Sequence, residues 1–194
     1  MHTVPGLFDR LTALYADGVG ALEDGRLAHA VALFTEGLQL DDEFRQGHVT
    51  MYAQRAIAHQ RLGDHVAAIR DWGRAIEMEP PSHQAQYLFH RGMCFTELGG
   101  HEEHAVNDFG RAIAIYPDHP GPYHLRGKLL ATDLGRYEEA IADFDRLLAM
   151  HPVPEGYQLR GYAKLNLGRG RDAIPDLLAA NRLEQDTYTD YLLA

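Results

Sequence analysis

One short pattern recurs along this chain, and it constrains the fold more than any other feature. In its clearest copy a Leu-Gly pair is followed by Ala68-Ile69 and then by an aspartate and an aromatic residue, Asp71-Trp72. Repetition at a nearly fixed period is typical of proteins that stack one small structural unit many times. Five copies, the first of them the faintest, begin at Asp24, Leu62, Leu98, Leu134 and Leu167.

Each copy forms the second half of a longer unit. The first half carries a small residue at one place, and the intervals between these residues shorten from 38 to 34 along the chain. Apolar residues recur at intervals of three and four, and the Leu-Gly pair interrupts them, which predicts a helix, a tight turn and a second helix. The small residue is expected to let the two helices approach closely. These small residues are Gly18, Ala56, Gly92, Gly127 and Gly161.

A single helix pair of this kind cannot bury both of its faces, so neighbouring pairs must stack. We therefore predict an all-α solenoid that forms one repeat domain over residues 1–194. Residues 187–194 are predicted to form a short helix that caps the last repeat, or else to dock elsewhere, including in the groove of another copy. Segment 41–48 is the candidate for a hinge or an insertion. The five repeats are expected at about 8–44, 45–82, 83–118, 119–153 and 154–186.

The pattern resembles the tetratricopeptide repeat family, which has an aromatic residue, a glycine, an alanine, a phenylalanine and a closing proline at set places in each repeat. The resemblance covers roughly residues 8 to 187. It implies a right-handed superhelix whose first helices line a concave groove for a protein or peptide partner. The matching residues are Tyr52, Tyr123, Tyr157, Gly92, Gly127, Gly161, Ala30, Ala68, Ala105, Ala140, Ala173, Phe34, Phe109, Phe144, Pro80, Pro117 and Pro152.

One departure from the family pattern is itself repeated. Arginine replaces the leucine before the small residue in four units, and the same four units carry an aspartate before the aromatic position. In the first unit both change together, to Asp17 and Leu33. We interpret each pair as a partly buried ion pair that bridges the two helices of a repeat, and the alternative is a set of arginines presented to an anionic ligand. The pairs are Arg55 with Asp71, Arg91 with Asp108, Arg126 with Asp143, and Arg160 with Asp176.

The composition is that of an ordinary folded protein. Of the 194 residues 45% are hydrophobic and 24% are charged, which excludes disorder as the main state. The net charge of −10 at pH 7 disfavours nucleic acid as a partner, because its phosphates are also negative. No secretion signal or membrane span is expected, and a single cysteine cannot form an intrachain disulfide. Together these features predict a cytoplasmic protein.

No motif in the sequence points to catalysis. In His101-Glu102-Glu103-His104 the two histidines stand three residues apart at a turn, whereas zinc proteases place them four apart on one helical face. Cys94 lies in an apolar stretch and is interpreted as a small buried residue, not as a reactive thiol. We therefore predict a protein that is not an enzyme and has no catalytic residue, no metal ligand and no cofactor.

The groove implied by the resemblance is the predicted functional site. Counted from the packing glycine, its side chains are mostly apolar or aromatic, which favours an apolar partner, and the acidic exterior favours a partner with basic flanks. Only Lys128 is cationic and none is asparagine, so the family's clamp for a terminal carboxylate is not expected. The alternative is a homo-oligomer in which another copy occupies the groove or a terminal face. The predicted groove residues are Tyr15, Ile57, Gln60, Gln86, Phe89, Met93, His124, Lys128, Gln158 and Tyr162.

Overall fold

The computed structural model describes the backbone of residues 6–40 and 48–193, and the side chains of residues 6, 8–40 and 49–185. Within these ranges the chain forms ten α-helices, one short 3-10 helix at Pro81–His83 and no strand, so the predicted all-α fold is confirmed. Residues 41–47, which hold most of the predicted hinge or insertion, lie outside the described residues. The helices are α1 (Leu7–Glu23), α2 (Leu27–Leu40), α3 (His48–Arg61), α4 (His65–Met78), α5 (Ala85–Leu98), α6 (Glu102–Ile115), α7 (Pro120–Thr132), α8 (Tyr137–Met150), α9 (Pro154–Asn166) and α10 (Gly170–Leu193).

The helices belong to two compact units. The first unit, Met1–His101, holds α1 to α5, and the second, Glu102–Ala194, holds α6 to α10. Inside each unit every helix packs against the next one along the chain, and α1 also touches α3 just as α7 touches α9. Within each unit the structure is therefore a stack of helical hairpins, as expected of a repeat solenoid. The single domain 1–194 and the handedness of the superhelix stay predictions.

The predicted Leu-Gly turns end the first helices. Gly63 has a φ of +78° and Gly135 a φ of +63°, in the left-handed region that glycine enters without steric cost. Asp64 directly follows Gly63, and its side chain accepts a hydrogen bond from the backbone N–H of Ala67 at 3.0 Å, which caps the start of α4. Turn and cap together reverse the chain within a few residues and set the second helix against the first.

The small residue of the first helix packs against the aromatic residue of the second. A Cβ atom at Gly18 would lie 2.5 Å from Cε1 of Phe34, and one at Gly127 would lie 3.0 Å from Cε1 of Phe144. Both phenylalanine rings are completely buried. The glycines are therefore required because the ring of the second helix occupies the space that a side chain would need.

The arginine and aspartate of a repeat form a bidentate ion pair. Arg55 Nε donates to Asp71 Oδ2 at 2.7 Å and Arg55 Nη2 donates to Asp71 Oδ1 at 2.8 Å. The aspartate side chain is only 4% exposed, so the guanidinium is the main group that compensates its buried charge. Two further pairs have the same form, Arg126 with Asp143 at 2.8 and 2.6 Å, and Arg160 with Asp176 at 3.1 and 2.5 Å.

The fourth predicted pair, Arg91 with Asp108, has one residue in each compact unit and stays a prediction.

These arginines also reach the second helix of the preceding repeat. Arg55 Nη1 donates to Thr35 Oγ1 at 3.0 Å, and Arg160 Nη1 donates to Asp145 Oδ1 at 2.6 Å. The arginine thus binds two second helices at once, its own and the one before. On the preceding second helix, the arginine contacts the residue that comes immediately after the aromatic position. This residue is small or polar in each case: Thr35, Gly73, Gly110 and Asp145.

The first and the last described helices differ from this arrangement. No described helix precedes α1, and Asp17 stands there at the arginine position. No described helix follows α10, and Leu178 stands there at the position of Thr35 and Asp145. The paired change at Asp17 and Leu33 therefore occurs in the repeat that contains the first described helix.

The predicted separate capping helix at 187–194 is corrected by the structure. Helix α10 runs without a break from Gly170 to Leu193, so the predicted cap is a continuation of the last second helix. A continuous helix carries its later residues away along its own axis, at about 1.5 Å per residue. These residues therefore cannot fold back over the first turns of α10.

Changing Gly18 to alanine is expected to lower the free energy of unfolding by about 1–3 kcal/mol, because the new methyl group overlaps the Phe34 ring. Gly73→Ala is the matched control, since its Cβ would meet nothing closer than Arg91 Nη1 at 3.7 Å. In the middle of α4 that change should raise the free energy of unfolding by about 0.5–1 kcal/mol. Urea unfolding followed by circular dichroism measures both values. Equal stability of the two variants would contradict the close contact of α1 with Phe34.

Changing Arg55 to leucine is expected to cost about 3 kcal/mol of unfolding free energy, because it leaves the buried Asp71 carboxylate without its partner. The double change Arg55→Leu with Asp71→Leu should cost less than Arg55→Leu alone, since neither charge then remains buried. Urea unfolding of the two single variants and of the double variant supplies the comparison. Additive losses would show that the two residues do not act as a pair.

Candidate binding surfaces

An open cavity of about 840 Å³ lies where α7 and α9 begin. Most of its surface is apolar, and its polar groups come from histidine, glutamate and glutamine side chains. We call it the α7–α9 cleft. It is lined by Pro120, Gly121, His124, Leu147, His151, Val153, Pro154, Glu155, Gln158 and Glu184.

Proline fixes the start of both helices that frame the cleft. Pro120 is the first residue of α7 and Pro154 the first residue of α9, where a fixed φ suits the helix and a missing N–H costs nothing. The backbone is extended at His119 and at Val153, just before each helix. His119 Nδ1 also accepts a hydrogen bond from the backbone N–H of Gly121 at 3.1 Å. The two helices that frame the cleft therefore begin at backbone positions that proline fixes.

Two predicted groove residues line the cleft, and a third supports it. His124 Nε2 lies 3.3 Å from Glu155 Oε2 without hydrogen-bond alignment, and Gln158 Nε2 donates to Glu184 Oε1 at 2.6 Å. Lys128 lies beside the cleft, and its Nζ donates to Glu155 Oε1 at 3.0 Å. The structure thus brings His124, Lys128 and Gln158 together around two glutamates that the sequence analysis did not select.

The carboxyl group of Glu155 stays ionised at neutral pH. The hydrogen bond from Lys128 and the nearby His124 lower its pKa, and they outweigh partial burial, which acts in the opposite direction. The cleft therefore combines a mostly apolar lining with a negative charge.

Tyr162, the fourth predicted groove residue of the second unit, lies outside the cleft. Its side chain is 42% exposed, and its ring meets that of Tyr137 edge-on with 6.3 Å between the centroids. This residue is available at the surface near the cleft and does not contribute to the lining.

The predicted groove residues of the first unit divide between core and surface. Tyr15 and Ile57 are half-buried and pack against the apolar clusters of that unit, and the ring of Tyr15 lies 6.3 Å from that of Phe34. The ring of Phe89 lies 5.6 Å from that of His90. The other three, of which Gln86 is exposed and two are half-buried, are Gln60, Gln86 and Met93. A single groove that includes both sets stays a prediction.

An aromatic stack in the first unit was not predicted from the sequence. The ring of Trp72 stacks with those of Tyr87 and His90, with centroid distances of 5.9 and 5.0 Å. Burial lowers the pKa of His90, which favours its neutral form. Cys94 belongs to the same cluster, is completely buried and has its pKa raised by burial to about 11. It is therefore the buried, unreactive thiol that the sequence predicts.

Within the described ranges, no group of three or more histidine, cysteine or acidic side chains is placed to hold a metal ion. The same residues include no helix with enough length and apolar character to cross a bilayer.

A second surface is formed by the apolar residues of α10, which we call the terminal face. Ile174 is 55%, Leu177 42% and Leu178 60% exposed. Phe144, which occupies the position of Leu177 one repeat earlier, is completely buried. Three large apolar residues on neighbouring turns of one helix form an exposed patch of the kind that marks an interaction site.

The sequence profile of the tetratricopeptide repeat matches residues 53–120 and 129–186, more than half of the chain. The chain belongs to the tetratricopeptide repeat family. Members of this family are in general scaffolds for protein–protein interaction. The recognised resemblance and the repeat pattern are thereby confirmed.

Solved structures of MamA proteins share the fold. A crystal structure of MamA has a TM-score of 0.84 at 17% identity, over 93% of this chain and 95% of that one. MamA from Desulfovibrio magneticus RS-1, from residue 41 to its end, has a TM-score of 0.81 at 16% identity, over 92% and 97%. MamA AMB-1 has a TM-score of 0.78 at 21% identity, over 91% and 92%. At these identities the likeness concerns the fold alone.

Changing Lys128 to methionine is expected to raise the pKa of Glu155, because the hydrogen bond that holds the carboxylate ionised is lost. The lowered pKa of the folded state means that this carboxylate stabilises the fold above its unfolded pKa, and that the contribution disappears as the pH falls through the folded value. NMR titration of the glutamate carboxyl carbons measures the shift. Lys164→Met is the control, because Lys164 Nζ pairs with Asp176 at 2.8 Å. This change should leave the pKa of Glu155 unchanged. An unmoved Glu155 pKa in Lys128→Met would contradict the contact.

Proposed function

We propose that this chain is a non-catalytic binding module that holds a peptide or partner protein on its first helices, with the α7–α9 cleft as the main anchor. The observation that supports this most is the cleft itself, because His124 and Gln158 line it and were selected from sequence alone as groove residues. Pockets that bind other molecules are mostly apolar with a few placed polar groups, and this cleft has that form.

The partner proposed is an apolar segment with basic flanks. Leu147 and Val153 provide apolar lining for a buried side chain, while Glu155 and Glu184 add carboxylates to the lining. The net charge of −10 adds a long-range attraction for a basic segment. Gln158 offers an amide that can exchange its bond to Glu184 for one to the backbone of the partner.

We place the protein in the cytoplasm. Its single cysteine is completely buried, so the fold draws no stability from oxidation, as expected in a reducing compartment.

A second candidate function is self-association. The observation that favours it is the terminal face of α10, where Ile174, Leu177 and Leu178 expose large apolar side chains that their counterparts in earlier repeats bury or lack. In this case the chain would be a scaffold that joins copies of itself.

The double change His124→Ala with Gln158→Ala is expected to weaken binding of a peptide about tenfold or more, because both residues line the anchor. Short random peptides displayed on phage are selected against the intact purified chain, and the affinity of one selected peptide is measured by fluorescence polarisation. A second variant, Phe89→Ala with Tyr162→Ala, tests the aromatic part of the predicted groove.

The matched control is His29→Ala with Gln39→Ala, which removes the same residue types from exposed positions on α2. It should leave the affinity unchanged. Peptide binding that survives both groove variants would place the binding site on the second helices and would refute the proposal.

A further inference from the structure

The terminal face of α10 is one side of a helix–helix contact. The complete contact, in which a second helix packs against the first helix that follows it, occurs between α4 and α5 and between α8 and α9. We call this contact a joint. We propose that the terminal face binds the outer face of α1 from a second copy of this chain, so that copies join end to end. This inference rests on self-association as the second candidate function and specifies the two surfaces that would carry it.

The joint between α8 and α9 shows how such a contact is made. A Cβ atom at Gly156 would lie 3.0 Å from Leu148 Cδ2, and Arg160 Nη1 binds Asp145 Oδ1 at 2.6 Å. Residue numbers therefore rise along α9 while they fall along α8, so the two helices run antiparallel. This register relates each residue of a first helix to one residue of the second helix before it.

The residues of the terminal face correspond to residues that α9 covers on α8. Leu177 takes the place of Phe144, which is completely buried, and Leu178 takes the place of Asp145. At the position of Leu178 the earlier repeats carry threonine, glycine or aspartate, each of which meets an arginine of the next first helix. A leucine there suits an apolar contact and not an arginine, which is the situation expected when the next helix lacks that arginine.

Helix α1 is a first helix without that arginine. It carries Asp17 at the arginine position, and its outer face presents Ala13, Ala16 and Gly20, spaced three and four residues apart. Both alanines are exposed, and nothing lies within 4 Å of a Cβ built on Gly20. Small residues on α1 leave room for large ones on α10, so the two unpartnered faces are complementary in shape.

The small residues of α1 also match the buried face of α9. Ala13 and Gly20 correspond to Gly156 and Ala163, and Ala163 is completely buried in the cluster around Phe144. At these two positions the outer face of α1 therefore has the size pattern of a helix that packs on a preceding second helix, whereas Ala16 is smaller than its counterpart Leu159.

Charge favours the same register. When the α8–α9 contact is transposed onto α10 and α1, Asp17 lies opposite Leu178 and within one turn of Arg182. The same register places Arg10 beside Glu184. Both ends of the joint thus bring opposite charges together, which favours a second copy over a partner of unrelated sequence.

Residues 187–193 of α10 cannot cover the terminal face. Helix α10 continues to Leu193, so the segment after residue 186 extends along the axis and away from Ile174 and Leu178. A joint of one helix on another buries less surface than the roughly 1,600 Å² of a standard interface. Association is therefore expected to depend on concentration, and because the two faces differ, a dimer still has one of each face open.

The test measures the mass of the intact chain by sedimentation velocity over a series of concentrations. The native sequence should gain mass as concentration rises, whereas Leu178→Asp and Ala16→Arg should each abolish the gain. Leu178→Asp places a second carboxylate against Asp17 of the other copy. Ala16→Arg fills the space that Leu177 of the other copy would occupy. Combining Leu178→Asp with Asp17→Arg recreates the Arg160–Asp145 contact of the internal joint and should restore association.

The matched controls are Val66→Asp, at a side chain that is 54% exposed on α4, and Ala32→Arg, at an exposed position on α2. Both should associate like the native chain, and circular dichroism verifies that every variant keeps its helix content. A native chain that stays monomeric at all concentrations would refute self-association together with this inference. Association that Leu178→Asp and Ala16→Arg leave intact would refute this inference alone, because copies would then meet through other surfaces.

Discussion

The arginine of the first helix is the contact on which the arrangement of the repeats depends. Its guanidinium binds the aspartate of its own second helix with two hydrogen bonds and uses a third nitrogen for the second helix before it. Planar guanidinium groups have enough donors in fixed directions for both tasks, which a lysine lacks. The buried aspartate would carry an uncompensated charge without it, so the position of one side chain fixes three helices relative to one another.

This constraint also explains where a partner can be held. The helices are fixed by buried contacts, and α7 and α9 begin at prolines, which suit the first helical position and have no N–H to satisfy there. Between these two starts the chain leaves an open cavity whose polar groups already contact one another. A partner would exchange existing hydrogen bonds for new ones and would not have to order a loop, which lowers the entropic cost of binding.

Much of the fold could be predicted from the sequence because the repeat provides the same information several times. The Leu-Gly turn, the glycine against Phe144 and the pairing of Arg126 with Asp143 are visible as residues that recur together or change together. Contacts between repeats were missed, although the small or polar residue after each aromatic position, such as Thr35, was a signal for them. Periodicity within one repeat does not reveal which side chain of the next repeat comes close.

The candidate site was predicted less completely than the fold. Counting from the packing glycine selects the middle of each first helix, so it found His124 and Gln158 but not Glu155 at the first turn of α9. The capping segment was placed wrongly because tail residues suited to covering an apolar face do not reveal whether the helix before them ends.

The residue at position 178 bears on how arrays of this kind grow. Repeat proteins lengthen when a gene segment is copied in tandem, and a copy of the last hairpin would bring a new arginine, equivalent to Arg160, against Leu178. A leucine there provides neither the acceptor that Thr35 and Asp145 provide nor the space that Gly73 and Gly110 leave beside the guanidinium. Duplication of this hairpin would therefore require a second, compensating codon change, while duplication of an earlier hairpin would not.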